Sequence, residues 1–308
     1  MHLSMFLSIH AITCRCDGKS ETQMNKGDQE SSQYPFVSIL SMSGGDGNNS
    51  YSTNSLLQRR VLSMTKPILV KNTKEIMRNL DFPECIKLAD LGCSSGQNTF
   101  MVMSDIVNTI NTLCEESNKK PPEIDCCLND LSGNDFNTTF KFMIFFKDML
   151  TSKIPCFVSG VPGSFYSRLF TRKSLHFIHS NYSLHYLSKG LVSASKVKSF
   201  NLPFYDPNEE EMREIIRNEG SFMIKDLETH VFDLGHSNED YSLQSDRAKA
   251  GEKEANCIRA VVETMLVAHF GDAINIDTLF EKYAHHVSQH ASCKNKTSVS
   301  LVVSLIRN

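Results

Sequence analysis

There is no tryptophan among these 308 residues, and no apolar run long enough to cross a bilayer as a helix. The ten cysteines contain no C-x-x-C pair, which speaks against structural zinc. An excess of one charge is also lacking. The net charge is −3, so electrostatics give no reason to expect nucleic acid or an anionic membrane as a partner. The cysteines lie singly, apart from Cys14/Cys16 and Cys126/Cys127. Cys85, Cys93, Cys156 and Cys257 sit in or beside apolar stretches and read as reduced, buried thiols of a cytoplasmic protein. A chain of this length can bury a large core.

Residues 1–35 do not read as domain. Leu3 to Ile12 has the apolar content of a signal-peptide core, but no Lys or Arg precedes it and Ser and His interrupt it. Asp17 to Gln33 is polar and aperiodic. The expectation is a disordered extension or a mispredicted start over 1–35, with secretion a lesser alternative, followed by a single domain over 36–308.

The organising stretch is Ile86-Lys-Leu-Ala-Asp90-Leu-Gly92-Cys93-Ser-Ser-Gly96-Gln97-Asn98, a buried strand running into a turn of small residues. Apolar residues at helical spacing follow from Thr99 to Ile110. Strand, glycine turn and helix form the pattern of a nucleotide-type site, where backbone N–H groups meet a ligand. The turn is too poor in glycine for a dinucleotide fingerprint, which makes a nicotinamide oxidoreductase the weakest reading. Three more strands are expected: Ile124–Leu128, one from Ile154 into Gly160-Val-Pro-Gly-Ser164-Phe165-Tyr166, and one beginning near Ser174. They alternate with helices, Asn54–Leu80 before the central strand and Phe136–Leu150 after the second. That alternation predicts an α/β fold with a mainly parallel sheet, whose ligands bind at the carboxyl ends of the strands. Cys93, Asp130, Ser164 and Tyr182 all fall at such ends. Beyond Lys189 we expect a helix over Asn208–Glu219, a strand over 220–232, a loop to about Glu254, helices over Ile258–Phe270 and Ile276–His290, and a last strand over Ser298–Ile306. His285, His286 and His290 lack the acidic or thiol partners of a metal set and read as a solvated face.

Together these residues resemble the plant SABATH methyltransferases. The matching motifs run in order: Met42-Ser-Gly-Gly-Asp-Gly, Tyr51, Asn54-Ser55, Ser63-Met-Thr-Lys-Pro67, Asp90-Leu-Gly-Cys-Ser-Ser-Gly96, Asn129-Asp130-Leu131, Gly160 to Tyr166, His176-Phe-Ile-His-Ser180, Ser199-Phe-Asn-Leu-Pro203 and Glu219-Gly-Ser-Phe222. The resemblance implies a Rossmann-like sheet with helices on both faces and an S-adenosyl-L-methionine (SAM) cofactor. It implies methyl transfer to the carboxylate of a small acid of the salicylate, benzoate or jasmonate kind, and a homodimer. Carried over position by position, Tyr51, Cys93, Asn98, Asp130, Leu131, Ser164 and Phe165 would contact SAM. Gln58, Tyr182, His185 and Tyr186 would line the acid. Phe200 and Asn201 would form part of a magnesium site. A carboxylate is already ionised at neutral pH, so the transfer needs alignment and exclusion of water rather than a general base.

The chain departs from the family pattern in four places. Tyr186 stands where relatives carry Trp. Lys198 replaces the Asp before Ser-Phe-Asn, and a cation there opposes magnesium. Ser298 stands where a pocket Phe is usual. Several tens of residues are absent between Ser188 and Gly190, which would remove a sheet strand and much of the helical cap. The final strand would then pair directly with the fourth, or the fold would be badly destabilised. Two functional readings remain open: a carboxyl methyltransferase, impaired or not by the deletion, and a non-catalytic remnant that binds cofactor or acid without turnover.

Overall fold

A computed structural model describes residues 4–11, 40–151, 154–183, 207–233, 247–290 and 297–308. Strand β2 (Cys85–Leu91) runs through the core, with Leu88 and Ala89 fully covered. The apolar spacing expected after it becomes helix α3 (Asn98–Glu116). Its inward row Phe100, Met103, Ile106, Ile110 and Leu113 is at most 1% exposed, so it supplies much of the main core. Before β2 lie α1 (Tyr51–Asn54) and α2 (Leu56–Asn79), and α2 packs along α3. The single helix expected over Asn54–Leu80 therefore starts with a separate short turn that breaks at Ser55. After β2 come β3 (Glu123–Asp130), α4 (Phe136–Lys141), α5 (Met143–Met149), β4 (Cys156–Pro162) and β5 (Phe177–Asn181). The helix expected over Phe136–Leu150 is thus two short ones that meet at Phe142.

The second half of the described chain is α6 (Glu209–Glu219), β6 (Phe222–Asp233), α7 (Arg247–Phe270), α8 (Ile276–His290) and β7 (Thr297–Arg307). Helix α6 opens on a capping box between Asn208 and Glu211 and closes on Gly220 in the left-handed conformation. Helix α7 begins at Arg247, well before the Ile258 that apolar periodicity marks. Its first turns, Arg-Ala-Lys-Ala-Gly-Glu-Lys-Glu, are rich in good helix formers but poor in apolar residues, so the segment reads as loop on patterning alone.

The sheet has seven strands in the order β4-β3-β2-β5-β1-β7-β6. Pairings from β4 to β1 are parallel, and β7 is antiparallel to both its neighbours. Strand β1 is Ser4–Ala11, and it corrects the reading of that segment as a disordered extension. It lies parallel to β5, from Ser4↔Phe177 to Ser8↔Asn181, and antiparallel to β7, from Ser4↔Ile306 to Ala11↔Val299. Direct pairing of the final strand with the fourth, one expected outcome of the missing segment, does not occur: β1 lies between β5 and β7 and pairs with both. An unpaired strand edge inside a sheet is costly, so an extended segment of ordinary strand length that satisfies both neighbours is strongly favoured there. The interruptions by Ser and His that weaken this segment as a signal peptide do not disqualify it as a strand, because neighbouring edges can override local propensity.

Candidate cofactor and substrate site

Three parallel strands end side by side, and their exits build the site. The turn after β2 is held in shape by two glycines. Gly92 has φ +76° and Gly96 φ +119°. A Cβ at Gly92 would sit 2.3 Å from that of Ser183, and one at Gly96 would sit 2.8 Å from that of Ser52. Only glycine lets this turn lie against both segments. Ser94 also adopts a left-handed φ, +54°. The turn is stitched to β3: the N–H groups of Gly92 and Cys93 both donate to the Asn129 carbonyl at 2.9 Å. The Ser94 carbonyl accepts from Asn134 Nδ2 at 3.0 Å and from Thr139 Oγ1 at 3.1 Å.

Asp130 stands at the exit of β3. One carboxylate oxygen accepts from the Ser94 N–H and the other from the Leu131 N–H, each at 2.7 Å. Each oxygen keeps a lone pair for a further donor. Burial pushes this carboxyl up to about 6, against the opposing pull of the two backbone N–H groups. Asn129 is fully buried, and its Nδ2 donates to the carbonyls of Val161 and Gly163 at 2.8 and 2.9 Å. It thereby fixes the exit of β4 and the following Ser164-Phe165 beside Asp130. In this exit Ser164 Oγ accepts from the Tyr166 N–H, and Phe165 stacks on Tyr166 with centroids 5.4 Å apart.

Behind the turn, Asp90 and His179 form a buried pair, Oδ1 to Nδ1 2.7 Å. The second Asp90 oxygen accepts from Thr99 Oγ1 at 2.6 Å. This ties the first turn of α3 to β2 and β5. Cys93 is buried, and its thiol is pushed well up by burial first and then by the charges of Asp130 and Asp90. It stays protonated and is no nucleophile.

The other wall comes from α1, α2 and α7. Tyr51 is buried at the start of α1, its N–H donating to the Ser43 carbonyl at 2.9 Å. Tyr182 follows β5 with a left-handed φ of 57°, and burial first, then Tyr51 and Cys257 of α7, push its hydroxyl far up. These effects put Tyr51, Tyr182 and Cys257 in one neighbourhood. Gln58 is buried on α2. The Gly-Gly-Asp-Gly loop is anchored, the Gly45 N–H donating to Asp135 Oδ2 at 2.8 Å and Ser52 Oγ to the Gly45 carbonyl at 2.9 Å.

Of the sequence-predicted residues, Cys93, Asn98, Asp130, Leu131, Ser164 and Phe165 cluster at the strand exits, and Tyr51 and Tyr182 share the facing wall. His185, Tyr186, Lys198, Phe200, Asn201 and the side chain of Ser298 lie outside the described residues. Sequence reasoning missed Asn134, Thr139 and Arg59. Asn134 could have been flagged by its place just after the Asn129-Asp130-Leu131 motif; the other two carry no local signal. Several buried atoms here lack a hydrogen-bond partner: Gln58 Oε1, Ser94 Oγ, Ser95 Oγ, Asn98 Nδ2 and Asn129 Oδ1. Unmet buried polar atoms in and around a glycine turn fit a polar ligand. Among the described residues there is no cluster of three or more His, Cys, Asp or Glu able to hold a metal, and no helix is long and apolar enough to cross a membrane.

The fold matches that of a loganic acid methyltransferase solved with S-adenosylhomocysteine (SAH), at TM-score 0.69 and 24% identity, over 87% of this chain and 98% of that one. The two chains therefore share one α/β fold. A sequence profile described as SAM-dependent carboxyl methyltransferase matches residues 37–190 and 188–308. A salicylate/benzoate carboxyl methyltransferase of Arabidopsis thaliana is 49% identical, over 89% of this chain and 94% of its own. A benzoic acid/salicylic acid carboxyl methyltransferase of Petunia hybrida is 32% identical over 88% and 99%, as is a probable jasmonic acid carboxyl methyltransferase of Theobroma cacao. The chain belongs to the SAM-dependent carboxyl methyltransferase (SABATH) family, and SAM is its cofactor. Two further facts concern its length. The Arabidopsis alignment runs over 363 positions, more than the 308 residues of this chain. The two profile matches meet at residues 188–190, and Ser4–Ala11 lie outside both.

Proposed function

We propose that this protein moves a methyl group from SAM to the carboxylate of a small aromatic or jasmonate-like acid, in the cytoplasm and as a homodimer. The observation that carries the reading is that Cys93, Asp130 and Ser164-Phe165 follow or end adjoining strands and Asn98 opens α3, with Ser94 Oγ, Ser95 Oγ, Asn98 Nδ2 and Asn129 Oδ1 among them buried without a partner. Cys93 and Asn98 take the methionine end of the cofactor. Asp130 and Leu131 take the ribose, Asp130 using the lone pairs that Ser94 and Leu131 leave open. Ser164 and Phe165 take the adenine, and Tyr51 closes the site from α1. Gln58, Tyr182, His185 and Tyr186 hold the acid.

When bound, SAM supplies an electrophilic methyl group. The protein's own task is to orient and exclude water. Gln58 fixes the acid's carboxylate by hydrogen bonds, and the aromatic wall keeps its body flat and dry. No group needs to accept a proton, because the attacking oxygen is already anionic at neutral pH. Magnesium is disfavoured by the sequence alone: Lys198 stands where the resemblance expects Asp, and a cation there opposes a divalent metal, while Lys198, Phe200 and Asn201 all lie outside the described residues.

The test is a radiolabelled-methyl assay over salicylate, benzoate, jasmonate and fatty acids, with calorimetry of SAH binding alongside. Turnover on an aromatic acid or jasmonate is expected, and turnover confined to fatty acids would overturn the substrate assignment. A second reading rests on a separate observation: the profile matches break at 188–190, where the resemblance implies a strand and cap segment that this chain lacks. On that reading the protein binds SAH but transfers no methyl group to any acid in the panel.

A further inference from the structure

Arg59 follows Gln58 on α2 and is half-buried against the N-terminus of α3. Its Nε donates to Asn98 Oδ1 at 3.4 Å. With the Gln97 amide turned so that its oxygen faces the cation, Nη2 and Nη1 reach that oxygen at 2.7 and 3.1 Å. One guanidinium thus grips both side chains that open α3. Among the described residues no carboxylate pairs with it. Burial is the leading influence on its pKa and lowers it, opposed by Tyr51.

This arrangement is unfavourable for an empty protein. A helix N-terminus carries partial positive charge, and a half-desolvated cation beside it adds to the same sign. The combination calls for an anion. The second observation lies in Asn98, which is 7% exposed and has Nδ2 buried without a partner. An amide oxygen facing a guanidinium leaves its NH2 group facing the other way. Arg59 therefore dictates which end of Asn98 is offered to the site, and the end offered is a donor.

We propose that Arg59 is a positioning residue for the amino-acid carboxylate of SAM: it locks Asn98 so that Nδ2 donates to that carboxylate, and it supplies the charge that balances it. The inference rests on the reading of Asn98 as a contact to the methionine end. It favours the cofactor's carboxylate over the acid's because both groups that Arg59 holds belong to the β2–α3 turn rather than to the wall carrying Gln58 and Tyr182.

Calorimetry with two probes tests it. SAH carries the amino-acid end, and 5′-methylthioadenosine lacks it. Arg59→Ala should weaken SAH binding roughly ten- to hundredfold, as loss of a charged contact does, and leave methylthioadenosine within about threefold. Arg59→Lys should recover part of the loss. Asn98→Ala should fall in the same range, and the double variant should be little worse than the weaker-binding single one, because the two act as a unit. Equal weakening of both probes by Arg59→Ala would reduce Arg59 to a structural role and overturn the proposal. So would unchanged SAH affinity with a raised KM for the acid, which would assign Arg59 to the substrate. If Asn98→Ala itself leaves SAH binding intact, the cofactor reading of Asn98 falls, and that result is distinct from a failure of Arg59 alone.

Discussion

Asp130 shows what a single residue contributes and how its environment sets that contribution. Two backbone N–H groups hold its carboxylate in place, yet burial outweighs them and raises the group to about 6. The folded protein therefore binds this proton more tightly than the unfolded chain does. Its contribution to stability is greatest at acid pH and is lost as the pH rises through about 6. Cofactor binding runs the other way if ribose hydroxyls donate to the ionised form. SAH affinity should then fall about tenfold between pH 7 and pH 5. Asp130→Asn should flatten that profile, and a wild-type affinity that does not change over this range would remove Asp130 from the ribose. The place of Asp130 was legible in the sequence, since it closes the second strand, at the carboxyl end where such folds bind ligands. The supporting contacts were not. Asn129 clamping β4, Thr139 on the Ser94 carbonyl and Arg59 on Asn98 join residues far apart along the chain, and no local pattern announces them.

Elements were legible where periodicity and burial agree, and obscure where they do not. The run from β2 into α3 carries its apolar row inward from end to end, so the residues alone make both elements evident. The first turns of α7 lack such a row. Strand β1 is the extreme case. Its identity as a strand is decided by the edges of β5 and β7 and not by its own residues. The same fact yields a prediction about the element. Deleting residues 1–12 leaves those two edges unpaired within the sheet, and the melting temperature should drop by more than about 10 °C, with increased dye binding from exposed apolar surface. An unchanged melting curve would mean that β1 contributes nothing to the sheet. Removal of a disordered extension would have had no such effect.

For the molecule as a whole, the position of β1 imposes a kinetic condition. Ser4 faces Ile306 across one seam and Phe177 across the other, so both seams of β1 close only when segments far apart along the chain meet. Closing so long a loop is entropically slow, and contacts of high sequence separation delay folding. The block from β2 to β4 can assemble first on its local contacts, leaving a slot between β5 and β7 that waits for an extended segment. That slot does not distinguish its own β1 from the β1 of another copy. At high protein concentration, refolding from denaturant should therefore yield exchanged dimers in which each chain lends its first strand to the other, and dilute refolding should yield far fewer. Chromatography of material refolded at two concentrations reads this directly, and a species distribution that ignores concentration would exclude the exchange. A segment that completes the sheet of one molecule is also, for as long as the slot stays open, able to join two.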